Sequence, residues 1–331
     1  MSIAPNIASK QILVVGAGVI GSVFASWFQA AGQQVSLLAR GQRLIDLQTH
    51  GLVVENAGTG QSTRSMVRIV DHLAPADPYD LIVVAVRLDQ ADSVLPLVAA
   101  NIAAPSVLFL LNNAFGCEQF AQAVGPGRAV LGFPGLGGRR DGATTQYYGV
   151  PQQPTTLGEA DGRITPRLQE LAALIKGTGH PVVITARMDA WLKTHAVFVT
   201  AMTAALDRAG GDSVALAHDR KSVATMVRAI REGFQALQAV GVPTTPGNLA
   251  LLFCRMPIWF AVTYWQRALQ GPVGTLAIAP HARAARGEMA MLAVQVQTLL
   301  QSSPTGTPTL HRLLATLTQS PKSAARFSRG A

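Results

Sequence analysis

Three glycines at 16, 18 and 21, an arginine at 40 and a lysine at 193 are the residues here whose type and setting could do chemistry. The glycines stand in the run Val14-Val15-Gly16-Ala17-Gly18-Val19-Ile20-Gly21, with G-x-G-x-x-G spacing. In that pattern the first glycine permits a tight turn and the second lets backbone approach a pyrophosphate. The third lets the following helix pack on the preceding strand. A helix starting there aims its free N–H groups and the positive end of its dipole at phosphate. The pattern has meaning only between a strand and a helix, and the flanks supply both. Ile12-Leu13-Val14-Val15 is an apolar run bounded by glycine, residues 19–31 read as a helix, and Val35-Ser36-Leu37-Leu38 reads as a second strand. The expected cofactor contacts are therefore Gly16, Ala17, Gly18, Val19, Ile20 and Gly21. The bland alternative is a glycine-rich turn that holds no ligand.

The end of the second strand selects the dinucleotide. An NAD site carries Asp or Glu there, accepting hydrogen bonds from the ribose 2′-hydroxyl. This chain has Ala39-Arg40-Gly41-Gln42-Arg43 instead. A guanidinium pairs with a 2′-phosphate through two parallel bonds, so the expected cofactor is NADP(H), with Arg40 as its discriminating contact. Otherwise both arginines are solvated on a loop.

Lys193, in Trp191-Leu192-Lys193, is a proton donor for a carbonyl oxygen if burial or a cationic neighbour tunes it, and otherwise a solvated helix lysine. His195 falls on another side of the same helix and reads as a packed or surface histidine. Glu288 lies near Arg283 and Arg286, and on its own that pattern is a surface ion-pair cluster.

The elements that must position these groups follow in chain order. Residues 43–50 read as a short amphipathic helix, and residues 52–54 and 66–70 as a strand pair. Leu81-Ile82-Val83-Val84-Ala85 and Ser106-Val107-Leu108-Phe109-Leu110 are fully apolar strands with a helix at 90–100 between them. Shorter strands at 129–133, 146–150 and 155–158 flank a glycine-rich loop at 135–142. A helix at 167–179 and a strand at 182–184 close the region. Strands alternating with helices predict an α/β, Rossmann-type, doubly wound parallel sheet. Residues 16–21, Arg40, Arg87 and Asn113 all fall at strand carboxyl ends, where such sheets bind ligands. From residue 190 the pattern is helical throughout, at about 190–208, 213–240, 246–269 and 281–301. Pro246 is expected just inside a helix start. The predicted organisation is an NADP-binding domain at 1–188, an all-helical substrate and dimerisation domain at 189–318, and a frayed tail at 319–331. The active site is then expected where the two domains face each other.

Lys and Arg number 27 and Asp and Glu 18 among 331 residues, a formal charge of +9. The excess is scattered, which suits steering of an anionic cofactor and substrate rather than nucleic-acid recognition. Cys117 and Cys254 lack metal-ligand spacing and read as reduced thiols, so no metal is expected. No stretch is long and apolar enough to span a bilayer, and residues 1–10 carry no export pattern, so the expected location is cytoplasmic. The apolar stretch 252–265 is either core or the interface of a homodimer.

The order of these features resembles the ketopantoate reductase (2-dehydropantoate 2-reductase) family. The resemblance rests on the GAGxIG fingerprint, Arg40 closing strand two and a basic residue after Val86. It continues with Asn113 in an Asn-x-x-Gly setting with Glu118 beyond, the W-L-K element, and a late helix carrying Arg and Glu. The resemblance implies a Rossmann domain followed by an all-helical one, and reduction of the 2-oxo group of ketopantoate to pantoate with NADPH, a step of pantothenate biosynthesis. It implies Lys193 as the general acid and Glu288 as the catalytic carboxylate contacting the substrate hydroxyl. Asn113 is implied near nicotinamide and substrate, and Arg87 in place of the usual lysine near the cofactor. The chain departs from the family where asparagines are usual four and eight residues after the lysine: here stand Val197 and Ala201. Ala114 replaces a glycine, and residues 274–280 lack the usual serine-rich acidic character. Loss of two amides removes partners for a small polar acid. The alternatives are a reductase for a less polar substrate and a non-catalytic NADP(H)-binding sensor.

Overall fold

A computed structural model of the chain describes residues 9–125 and 127–318. The tail expected at 319–331 lies outside the described residues. Two compact units emerge, one of Met1–Leu111 with Cys117–Met188, the other of Asn112–Gly116 with Asp189–Ala331.

The first unit contains β1 (Gln11–Val15), α1 (Val19–Ala30), β2 (Gln34–Leu38), α2 (Gly41–His50), β3 (Leu52–Asn56), β4 (Ser62–Ser65), β5 (Arg68–Val70), β6 (Leu81–Val84), α3 (Leu88–Ala100), β7 (Val107–Leu110), α4 (Glu118–Val124), β8 (Ala129–Phe133), β9 (Leu136–Asp141), β10 (Thr144–Gly149), β11 (Thr155–Glu159), α5 (Pro166–Gly177) and β12 (Val182–Ile184). Its main sheet has the order β12-β11-β8-β7-β6-β1-β2-β5. From β8 to β5 every pairing is parallel, and β11 joins β8 antiparallel. The central strands β1, β6 and β7 are apolar at nearly every position because helices cover both their faces: Ile12, Leu13, Val14, Ile82, Val83, Val107 and Leu108 have no exposed surface. The unit is the Rossmann-type sheet that the alternation of strands and helices predicts.

A second sheet, of order β4-β3-β10-β9, corrects two expectations. Residues 52–54 and 66–70 do not pair with each other. β3 pairs antiparallel with β4, Leu52 opposite Ser65, while β5 joins the main sheet beside β2. β4 is Ser62-Thr63-Arg64-Ser65, exposed at all but its last residue, so no hydrophobic alternation marks it. The segment expected as a loop at 135–142 holds β9, the antiparallel partner of β10.

The second unit is helical: α6 (Met188–Arg208), α7 (Ser213–His218), α8 (Arg220–Ala239), α9 (Gly247–Ala250), α10 (Ile258–Gln270), α11 (Ala279–Ala284), α12 (Arg286–Leu300) and α13 (Pro308–Thr318), with π-helical turns at Leu251–Arg255 and Val273–Ile278. Three expected long helices are broken. The pattern at 213–240 splits at Asp219, whose carboxylate caps α8 by accepting from the N–H groups of Lys221 and Ser222. The pattern at 246–269 breaks before Pro257, which has no N–H to continue a helix, and Pro246 is itself the N-cap of α9. The pattern at 281–301 breaks at Ala285, the residue between α11 and α12. In the stretch 252–265 Phe253 and Trp265 are buried while Trp259, Phe260 and Tyr264 are exposed, so it presents one face to the core and one to solvent.

Candidate active site

On the first unit, the glycine turn between β1 and α1 is built by close approach. Gly16 has φ +107°, and a Cβ there would lie 2.6 Å from the Ala85 carbonyl oxygen at the end of β6. A Cβ at Gly21 would overlap the Gly16 carbonyl, so α1 packs against the turn only because neither residue has a side chain. Gly18 differs: a Cβ there would meet nothing within 4 Å. It is the N-cap of α1, whose first turn carries no acidic residue and no side-chain cap. The turn thus leaves open space and uncapped N–H groups in one place, a cradle that fits a phosphate.

Arg40 and Arg87 follow neighbouring strands. Arg40 is exposed and N-caps α2 beyond β2, with no carboxylate in α2's first turn. Arg87 N-caps α3 beyond β6, and its Nε donates to Asp89 Oδ1 at 3.1 Å. Arg43 departs from expectation. Rather than being solvated it is 8% exposed, and its guanidinium is bonded to four neutral acceptors, among them the Ala17 carbonyl oxygen.

Asn113 belongs to the loop Asn112–Gly116, which groups with the second unit. There it lies against α6 and α12. Gly116 has φ +96°, and a Cβ on it would overlap the Asp189 carboxylate and lie 3.6 Å from Lys193 Nζ. Lys193, near the start of α6, donates from Nζ to Asp189 Oδ2 at 2.6 Å, one helical turn back. Its side chain is largely buried, so the solvated-lysine alternative does not describe it.

Glu288 is a second correction. It is not part of a surface ion-pair cluster: it is 2% exposed in the first turn of α12, and Arg286 pairs with Asp207 instead. Glu288 Oε1 accepts from Asn112 Nδ2 at 3.0 Å, and Oε2 lies 3.9 Å from His281 Nε2. Two turns along α12, Gln295 Oε1 accepts from the Ala114 N–H at 3.1 Å. Two hydrogen bonds thereby tie the loop to α12, and Lys193 and Glu288 both border it.

Within the loop the two asparagines divide the work. Asn113 donates to the Gly116 carbonyl and accepts from the Phe115 N–H at 3.0 Å, closing the turn on itself. Asn112 is the residue that reaches Glu288. Its buried Oδ1 has no hydrogen-bond partner among the described residues.

His195 stacks on Trp191, ring centroids 5.1 Å apart and planes 9° from parallel. Burial, with a smaller contribution from His281, pulls its pKa from 6.5 to about 3, so the imidazole is neutral near neutral pH and offers no positive charge. Val197 and Ala201 are fully buried, and Val197 Cγ1 packs against Gly233 of α8. Position 197 belongs to the helical core, not to a polar wall.

Sequence reading missed Asn112, Asp189, Gln295 and His281. Two carried a legible signal: Asp189 is four residues before Lys193 and Gln295 seven after Glu288, each on the same helix face. Asn112 and His281 gain their meaning only from tertiary contacts. Among the described residues no cluster of side chains suits a metal ion, and no helix is long and apolar enough to cross a membrane.

Residues 12–162 match the family model described as ketopantoate reductase PanE/ApbA. No curated protein matches the chain. Among solved structures, a 2-dehydropantoate 2-reductase from Geobacter metallireducens GS-15 is similar at TM-score 0.75 and 17% identity, covering 93% of this chain and 99% of that one. Another from Methylococcus capsulatus gives TM-score 0.72 at 16% identity, over 97% and 98% of the two chains. D-mandelate dehydrogenase, solved with NADH and anilino(oxo)acetate, gives TM-score 0.73 at 14% identity, over 93% and 96%. Residues 12–162 thus resemble the ketopantoate reductase PanE/ApbA family, and over nearly its whole length the chain has the fold of these solved structures.

Proposed function

We propose that the chain is an NADPH-dependent reductase of a 2-oxo acid or related carbonyl, with Lys193 as general acid and Glu288 as the carboxylate that holds the substrate. One observation carries the reading: Lys193 and the buried Glu288 flank the same five-residue loop, one against Gly116 and the other bonded to Asn112. The cradle at Gly18 and the exposed Arg40 support the cofactor part.

Residues 16–21 would hold the dinucleotide's phosphates through backbone N–H groups, Arg40 its 2′-phosphate, and Arg87 would lie near it. The bound nicotinamide supplies a hydride. What the chain's own residues supply is charge and a proton. As negative charge develops on the carbonyl oxygen, the Lys193 ammonium stabilises it and then transfers a proton from Nζ. Asp189, bonded to Nζ, keeps the ammonium from swinging into solvent. Asn112 fixes one Glu288 oxygen, and the carboxylate so oriented would accept from a substrate hydroxyl.

A second reading, a substrate less polar than ketopantoate, is suggested by the similar fold of D-mandelate dehydrogenase, solved with the aryl-bearing anilino(oxo)acetate. The test is NADPH and NADH oxidation with a panel of 2-oxo acids from ketopantoate to aryl-bearing ones. Turnover of one of them, lost in Lys193→Ala, supports the reductase. Binding of NADPH with turnover of none would make the chain a sensor. As expectations within the same proposal, the enzyme acts in the cytoplasm, on a small molecule, without nucleic acid or membrane, as a homodimer or a single chain.

A further inference from the structure

We propose that Arg43 is a positioning residue of the dinucleotide site, fixing the glycine turn for the phosphates common to NADPH and NADH. The proposal rests on the reading of residues 16–21 as that site. The Arg43 guanidinium joins three segments. Nε donates to the Ala17 carbonyl oxygen at 3.2 Å, between Gly16 and Gly18. Nη2 donates to Ser22 Oγ in the first turn of α1 and to Thr145 Oγ1 of β10, both at 3.3 Å, and Nη1 to the Ala143 carbonyl oxygen at 3.3 Å. Ser22 is itself tied to the turn, its N–H bonded to the Gly18 carbonyl at 3.0 Å and its Oγ to the Ala17 carbonyl at 3.4 Å.

Two consequences follow. With the Ala17 carbonyl held by Arg43, the turn has a fixed orientation for its N–H groups, which are what a phosphate needs. The second consequence is electrostatic. All four partners are neutral and no carboxylate lies within ion-pair distance among the described residues. Arg140 adds like charge and Asp46 opposes it at longer range. A buried cation so placed is costly alone and is relieved by an anion bound in the adjacent turn. Lysine cannot replace it, because one ammonium does not span acceptors on three segments. Arg43 therefore differs from Arg40, whose proposed contact exists only in NADPH.

The test is equilibrium titration of NADPH and NADH against the wild type, Arg43→Lys, Arg43→Met and Arg40→Ala, with a thermal melt for each. Arg43→Lys and Arg43→Met are expected to raise both dissociation constants by a similar factor of about ten or more, the effect of losing a hydrogen bond to a charged group. Arg40→Ala raises that for NADPH alone. Thr145→Val, which removes only one acceptor on β10, gives a smaller rise in both and keeps the test readable should the Arg43 variants not fold. A folded Arg43→Met with wild-type affinity and only a lower melting temperature would make Arg43 a plain structural strut and overturn the proposal. Selective loss of NADPH would overturn it too, making Arg43 a 2′-phosphate contact. Failure of the wild type to bind either dinucleotide would instead refute the underlying reading of the site.

Discussion

Arg40 and Arg43 stand three residues apart, and burial gives them different work. Arg40 is exposed at the start of α2, with no carboxylate in that helix's first turn. Arg40→Ala should weaken NADPH binding by about 1.5–3 kcal/mol, the range for hydrogen bonds to charged groups, with NADH hardly changed. Equal loss for both cofactors in a fluorescence titration would remove Arg40 from the 2′-phosphate. His195 makes a prediction of another kind. Its folded pKa lies near 3, below the ordinary 6.5, so between these values the unfolded chain binds a proton that the folded chain refuses. Stability from this group is complete above pH 6.5 and is lost as pH falls toward 3, at a limiting rate of about 1.4 kcal/mol per pH unit. Denaturant midpoints should fall from pH 6.5 to 5, before most carboxylates titrate, and His195→Gln should flatten that slope. An unchanged slope would mean that the histidine is not the titrating group.

At the scale of elements, the glycine turn separates packing from binding. Gly21 has backbone where its Cβ would be, and Gly18 has open space. Gly21→Ala should lower the melting temperature, by overpacking worth about 1–3 kcal/mol. Gly18→Ala should leave the melt nearly unchanged and weaken both dinucleotides. If Gly18→Ala bound both at full strength, the phosphates would not lie over Gly18. On α6 a similar distinction applies. Val197→Asn would bury an amide against Gly233 and should cost about 1–3 kcal/mol of stability, without raising activity toward ketopantoate. Elements with strong local signals were legible in advance: the apolar strands β1, β6 and β7, the glycine turn and α6. Those decided by tertiary pairing were not. β4 is a polar strand, β9 is rich in glycine and arginine, and the helix breaks at Asp219, Met256 and Ala285 interrupt a continuous apolar period.

For the whole molecule, the match to the family model spans residues 12–162, while Lys193 and Glu288 stand in the helical unit beyond it. The sequence pointed to Lys193 by type and setting and to Glu288 through resemblance, since a glutamate on a helix is ordinary. Structure adds what their spacing could not: a loop between β7 and α4 that groups with the helices, bonded to Glu288 by Asn112 and lying against Lys193 at Gly116. Asp189 and Gln295 complete that arrangement from positions one and two helical turns away from the residues already singled out. The proposed dinucleotide residues fall in one unit and the proposed proton donor in the other, so binding and turnover should be separable by mutation.

The most direct measurement is the kinetics of Lys193→Ala and Lys193→Arg on the best 2-oxo acid of the panel, with NADPH affinity measured in parallel. A positioned general acid is worth about 10²–10⁴-fold, so the alanine variant should lose kcat by that order while binding NADPH as the wild type does. Arginine should not restore it, because guanidinium does not give up its proton at working pH. An alanine variant with full kcat, or an arginine variant with near-normal kcat, would contradict Lys193 as the proton donor.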